Sequence, residues 1–212
     1  AEARVGLTPQ APTPHVPTLS ELSALAPHER LAARAPLYLE AAHLAGGYLS
    51  SHVNPDGRFD YQYFPYTGER KQPGGASYSL PRHSGAIYGL ASLYALEPKP
   101  QYKHTSERAI AWLRAQASPE CGGWLKDALC LPLGRRGEAT LGNSALTALA
   151  LLTYANATGE ERHLNFTEGL LRFLLAMQRD DGDFHHRYLL ADGSFDPDQR
   201  SMFASEQAAF AF

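Results

Sequence analysis

The chain resembles itself at a fixed interval, and self-similarity of this kind restricts the possible folds more than any local pattern does. Residues 49–59 (LSSHVNPDGRF) align with residues 174–184 (LLAMQRDDGDF), pairing Leu49 with Leu174, Asp56 with Asp181, Gly57 with Gly182 and Phe59 with Phe184. The same offset of 125 residues pairs Tyr63 with Tyr188 and Gly68 with Gly193. A looser middle copy, residues 112–124 (WLRAQASPECGGW), puts Gly122 and Trp124 in the glycine and aromatic places. The repeating unit is therefore about sixty residues long.

Each unit has the same internal order. An amphipathic helix comes first, with Phe166, Leu170, Phe173, Leu174 and Met177 on one face in one unit and Ala109, Trp112, Leu113 and Gln116 in another. A glycine turn follows, in which Asp56 and Asp181 read as turn residues. Next come aromatic segments, residues 59–64 and 184–189, each leading to a reversal at Thr67-Gly68 or Asp192-Gly193, the pattern of a small β-hairpin. The unit closes with a helix apolar almost all round, residues 85–96 and 144–155, which must be packed on both sides. Gln116 and Gln178 are expected to tie adjacent units together. Outer and inner helices alternating in this way bury their surface only by stacking unit on unit.

Composition removes several classes. With 44% apolar and 19% charged residues the chain is ordinary globular material, not collagen, coiled coil or a disordered polymer. A net charge of −3 and scattered basic residues leave no footprint for nucleic acid or anionic lipid. The apolar run over residues 141–157 is shorter than the roughly 20 residues of a membrane span and carries Asn143, Ser144 and Thr147, so it reads as a buried helix and no membrane span is expected. Residues 8–17 hold four prolines and cannot bury surface, which predicts an extended arm over residues 1–20 ahead of a helical domain over residues 21–212. At the other end, Glu206-Gln207-Ala208-Ala209-Phe210 reads as the start of an inner helix that runs out before any cap. Cys121 and Cys130 would close a small loop in an exported protein and would be two inert thiols in the cytosol; both readings stand at this point.

The motif Gln178-x-x-Asp181-Gly182-x-Phe184, preceded by Arg172-Phe173-Leu174-Leu175, resembles the repeat of terpenoid cyclases, and Gln116…Gly122-Gly123-Trp124 is a looser version of it. Over residues 37–212 the chain resembles the α/α-toroid superfamily, which includes terpenoid cyclases, protein prenyltransferases and many carbohydrate-active enzymes. It is also similar to uncharacterised bacterial toroid proteins and to the helical domain of uronyl epimerases. The resemblance implies an all-α fold, an α/α-toroid of helical hairpins with small β-hairpins in the connections, of which about two and a half repeats are present as an incomplete ring.

The branches of that superfamily differ in their chemistry. The acidic motif of squalene-type cyclases has no counterpart, because Asp180-Asp181-Gly182-Asp183 is the turn of the repeat itself. A zinc site would need a His-containing partner motif beside Cys121 and Cys130, and His185-His186 on one strand would point to opposite faces, so neither a metal nor another cofactor is expected. What remains resembles the carbohydrate-active branch, where aromatic platforms and charged groups line a central cavity. Inner helices starting near Ser84, Asn143 and Ser205 would aim their N-termini at one mouth, bringing together Arg82, His83, Asn143, Glu206 and Gln207. Glu206, His83 and Asp60 are then the candidate acid–base residues, and Arg82, Tyr61, Tyr63, Asn143 and Gln207 the candidate contacts to a carbohydrate or uronate polymer, with Arg82 clamping a carboxylate. The reading taken forward is an exported, periplasmic or extracellular, carbohydrate- or uronate-processing protein, a glycoside hydrolase or epimerase in type. The alternative is a non-catalytic subunit that binds a protein partner through residues 1–20, and the third reading is a terpenoid-cyclase-like enzyme.

Overall fold

The computed structural model describes residues 17–71, 78–121, 126–132 and 137–212. Most of the Pro-rich arm, and Gly122 and Trp124 of the middle copy, lie outside the described residues. The chain forms two compact units, residues 1–45 and 46–212. The first contains α1 (Leu19–Ser23), started by a capping box between Thr18 and Glu21, and most of α2 (Pro27–Ser51), which carries the chain into the second.

The second unit is built from β1 (Gln62–Phe64), β2 (Glu69–Lys71), α3 (Leu80–Leu96), α4 (Pro100–Gln116), β3 (Glu138–Thr140), α5 (Leu141–Thr158), α6 (Leu164–Met177), β4 (Arg187–Leu189), β5 (Ser194–Phe195) and α7 (Ala204–Ala211). The expected all-α toroid class is thus corrected. Among the described residues seven helices are joined by two antiparallel sheets, β1-β2 and β3-β4-β5, and the fold is mixed α/β. The two hairpins expected from the aromatic segments are present as β1–β2 and β4–β5. The sequence pattern did not carry β3, which pairs with β4 across the whole of α5 and α6, Ala139 opposite Tyr188. A pairing between segments so far apart leaves no local signature, and it turns two isolated connections into a sheet.

α5 is enclosed as its apolar pattern predicts, whereas α3, expected to be packed on both sides, leaves Tyr88 and Leu96 exposed. α5 packs against α3, α6 and α7, and α3 against α4. The core comprises Ile87, Leu90, Ala145, Ala148 and Leu151 of the inner helices, with Ile110 and Leu113 of α4 and Leu170, Phe173 and Leu174 of α6. Each such large side chain contributes roughly 1.5–3 kcal/mol on burial. Between α3 and α5 one polar contact crosses the core. Thr147 Oγ1 donates to the Asn143 carbonyl at 2.8 Å, so Ser84 Oγ must be the donor in its 2.8 Å bond to Thr147.

The two glycine turns that are 125 residues apart share their hydrogen bonds. Asn54 N–H donates to Arg58 O and Arg179 N–H to Asp183 O, while Asp60 N–H reaches His52 O and His185 N–H reaches Met177 O. Gly57 and Gly182 have φ of 93° and 88°, and the bridges Val53–Phe59 and Gln178–Phe184 close both turns. The amides of Gln116 and Gln178 bond to their own helix and turn, through Trp112 O and Gly182 O, and not to a neighbouring unit as expected. Cys121 and Cys130 are joined as a disulfide with Cα atoms 5.6 Å apart. No helix among the described residues is long and apolar enough to cross a membrane.

Candidate functional site

The inner helices begin earlier than the apolar pattern suggested, and this rearranges the expected mouth. Ser79 accepts from the Arg82 N–H and Pro81 occupies the first turn of α3, so Arg82 and His83 lie inside the helix rather than in the loop before it. Successive helical residues point in different directions, and the predicted group divides accordingly. Asn143 and Gln207 line one cleft. Asp60, Tyr61, Arg82 and His83 line a second, smaller cavity, and Glu206 lines neither.

The cleft has a volume of about 300 Å³ and lies where the starts of α5 and α7 meet the segment 199–203. Thr140, Asn143, Gln199, Ser201, His186 and Gln207 supply its polar lining, and Phe203, 60% exposed, lies at its edge. Neither Thr140 at the start of α5 nor Phe203 at the start of α7 makes a side-chain cap; the Leu141 N–H donates to the His186 carbonyl at 3.1 Å, and the other first-turn N–H groups of the two helices have no capping side chain. Gly142 keeps the cleft compact, because a Cβ there would stand 2.9 Å from Gln207 Oε1.

His186, buried at 5% exposure, holds the wall of this cleft. The Ser201 N–H donates to its Nδ1 at 2.6 Å, which leaves the proton on Nε2, directed at Ser205 Oγ at 3.2 Å. Ser205 in turn donates to Asp183 Oδ1 at 2.9 Å. The Asp183 carboxylate is held below its usual range by the Phe184 N–H first and by Ser205 second. This Asp183–Ser205–His186 chain ties the glycine turn to the start of α7. Sequence reasoning had singled out Ser205 only as a helix start and treated Asp183 and His186 as turn and strand residues. Nothing local marks the group, whose members meet only when α7 folds back on the turn. His185 stacks on Phe195, with ring centroids 4.1 Å apart, and is turned away from this chain. No group of three or more potential metal ligands occurs among the described residues.

In the second cavity, of about 140 Å³, His83 is 1% exposed and both its nitrogens are engaged. The Ala109 carbonyl can only accept, so His83 Nε2 donates to it at 3.0 Å. Nδ1 then accepts from the Tyr78 hydroxyl at 2.9 Å, and Tyr78 accepts from the Phe59 N–H at 3.0 Å. Burial pushes the imidazole down to about 4, against the opposing pull of the Ala109 carbonyl and of Asp56. Burial likewise pushes Tyr78 up to about 12. With Phe59 and Trp112 packed around it, His83 is a neutral core residue rather than a proton carrier.

Burial alone would raise the Asp60 carboxyl, but hydrogen bonds from Arg70 at 2.8 Å and from Asn54 at 3.2 Å outweigh it and hold the group below the usual carboxylate range. Asp60 is therefore an anion already committed to partners. Glu206 is exposed in the first turn of α7, where an acidic side chain is favoured by the helix dipole alone. Of the three candidate acid–base residues, Asp60 and His83 line the same cavity and Glu206 is not brought to it. Tyr63 stands on the β1–β2 hairpin, 48% exposed, with the Arg70 guanidinium 5.0 Å over its ring.

No protein-family model and no curated protein sequence matches this chain.

Proposed function

We propose that the chain binds a carbohydrate or uronate polymer in the cleft at the starts of α5 and α7. The observation that carries this reading is the composition of that cleft. Side-chain amides of Asn143, Gln199 and Gln207 and the hydroxyls of Thr140 and Ser201 stand beside two helix N-termini without side-chain caps, with Phe203 at the rim. Amides and hydroxyls both donate and accept, as sugar hydroxyls do, and an exposed aromatic face suits the apolar face of a pyranose ring. Free helix N–H groups favour a ring oxygen or a carboxylate.

His186 is the one titratable side chain that lines the cleft among the described residues, and with its two nitrogens engaged by Ser201 and Ser205 it would shape the binding surface rather than transfer a proton. The Cys121–Cys130 disulfide supports placing the chain in an oxidising compartment, periplasmic or extracellular. The test is calorimetric titration with neutral and uronate oligosaccharides. Asn143→Ala and Gln207→Ala should each weaken binding about 5- to 20-fold through the loss of one or two hydrogen bonds, with little change in melting temperature. Unchanged affinity in both variants would remove the cleft from the reading.

A further inference from the structure

We propose that the cavity between the β1–β2 hairpin and the start of α3 is a subsite that reads a single carboxylate, so that the polymer in the cleft is an acidic polysaccharide. The inference rests on the carbohydrate reading of the cleft and extends it from a sugar ring to a charged chain.

Charge accounting around the hairpin carries the argument. Arg58 is paired with Asp56 at 2.7 Å, Arg70 with Asp60 at 2.8 Å and Lys71 with Glu69 at 3.4 Å. Arg82, exposed at the lip of the cavity, makes no ion pair among the described residues and lies 5.2 Å over the Tyr61 ring. Stacking on Tyr61 occupies one face of the guanidinium and leaves its N–H edge free for a planar oxyanion, which a carboxylate matches with two parallel hydrogen bonds. A space of about 140 Å³ admits part of one sugar ring and its carboxylate, not a whole oligomer.

The two sites adjoin through the first turn of α3, where Pro81 lines the cleft and its neighbour Arg82 lines the cavity. A chain leaving the cleft therefore reaches Arg82 within one turn of helix. Beyond it Tyr63, two residues along the extended backbone from Tyr61 and so about 7 Å away, offers a further ring platform. Among the described residues Arg82 is the one arginine or lysine that lines this cavity, and a single local cation is too little for a phosphate backbone or an anionic membrane, both of which bind through several unneutralised cations at once. It suits a polymer whose charge is one carboxylate per sugar.

The experiment titrates the full chain with a galacturonate tetramer and with the same tetramer after reduction of its carboxyls to alcohols. Arg82→Gln is expected to weaken the acidic tetramer about 10- to 100-fold and to leave the reduced one unchanged. Asn143→Ala is expected to weaken both alike. Equal loss of both tetramers in Arg82→Gln, or loss of neither, overturns the subsite and leaves the cleft. An effect of Arg82→Gln with none of Asn143→Ala leaves the subsite and overturns the cleft. Wild-type chain that binds neither tetramer overturns both, and Arg82-dependent binding of a single-stranded oligonucleotide or of anionic lipid vesicles overturns the polysaccharide assignment.

Discussion

Lowering the pH should destabilise this protein through one buried imidazole, and the size of the effect follows from its surroundings. His83 is sealed against Phe59, Tyr78 and Trp112 with both nitrogens hydrogen-bonded, and its folded-state value lies at about 4. In the unfolded chain an imidazole titrates near 6.5, so the folded state binds fewer protons and stability rises with pH. Above pH 6.5 both states are neutral and nothing is lost; as the pH falls from there towards 4 the unfolded chain alone gains the proton. At pH 4.5 the difference amounts to about 2.5 kcal/mol. Lowered values at His163 and His185, both from burial first, act in the same direction, so the contribution of His83 has to be isolated by difference. Urea unfolding of wild type and His83→Gln at pH 7 and pH 4.5 does this, because glutamine cannot titrate. The variant should be less stable at pH 7 by roughly 1–3 kcal/mol, from the lost hydrogen bonds. Its further loss on acidification should be smaller than that of wild type by about 2.5 kcal/mol. Equal losses in the two proteins would refute the assignment of His83 as a neutral core residue.

Other substitutions test other parts of the structure. Gly57→Ala should cost more than Gly182→Ala in thermal melts, although both glycines have positive φ, because only at Gly57 would the new Cβ meet the Arg108 carbonyl; about 2 kcal/mol or more against about 1 is expected. Reducing the Cys121–Cys130 disulfide, which spans nine residues of sequence, should lower stability by about 2.5 kcal/mol on the chain-entropy account, read as a drop in urea midpoint with dithiothreitol. Thr147→Val should be worse than Ser84→Ala: it strands the Ser84 donor in the core at about 1–3 kcal/mol, whereas removing Ser84 leaves Thr147 still bonded to Asn143. Glu206→Gln should leave oligosaccharide affinity unchanged, since its side chain is exposed and lines neither cavity, and should lower stability by no more than the helix-dipole contribution of about 0.3–1 kcal/mol.

The legible parts of the fold were those whose information is local. The faces of α4 and α6, the all-round burial of α5, the turns at Gly57 and Gly182 and the hairpins at Gly68 and Gly193 follow from residue spacing and from glycine's tolerance of positive φ. The start of α3 was misread by four or five residues because Pro81 looks like loop until Ser79 is seen to cap it. The all-α class failed at β3, whose partner strand lies beyond two intervening helices.

The candidate site depended far more on tertiary structure. Residue type and position along the repeat singled out Arg82, Tyr61, Asn143 and Gln207, and these do line cavities. Which of them share a cavity was decided by the pitch of α3, which turns Pro81 to the cleft and Arg82 to its neighbour. The neutrality of His83 was decided by the Ala109 carbonyl reached across the α3–α4 contact, and the Asp183–Ser205–His186 chain by the return of α7 onto the turn. Periodicity records which side of an element is buried, because burial acts on every residue of that side. A hydrogen bond between single atoms of distant segments leaves no period behind, and only the folded chain brings its two ends together.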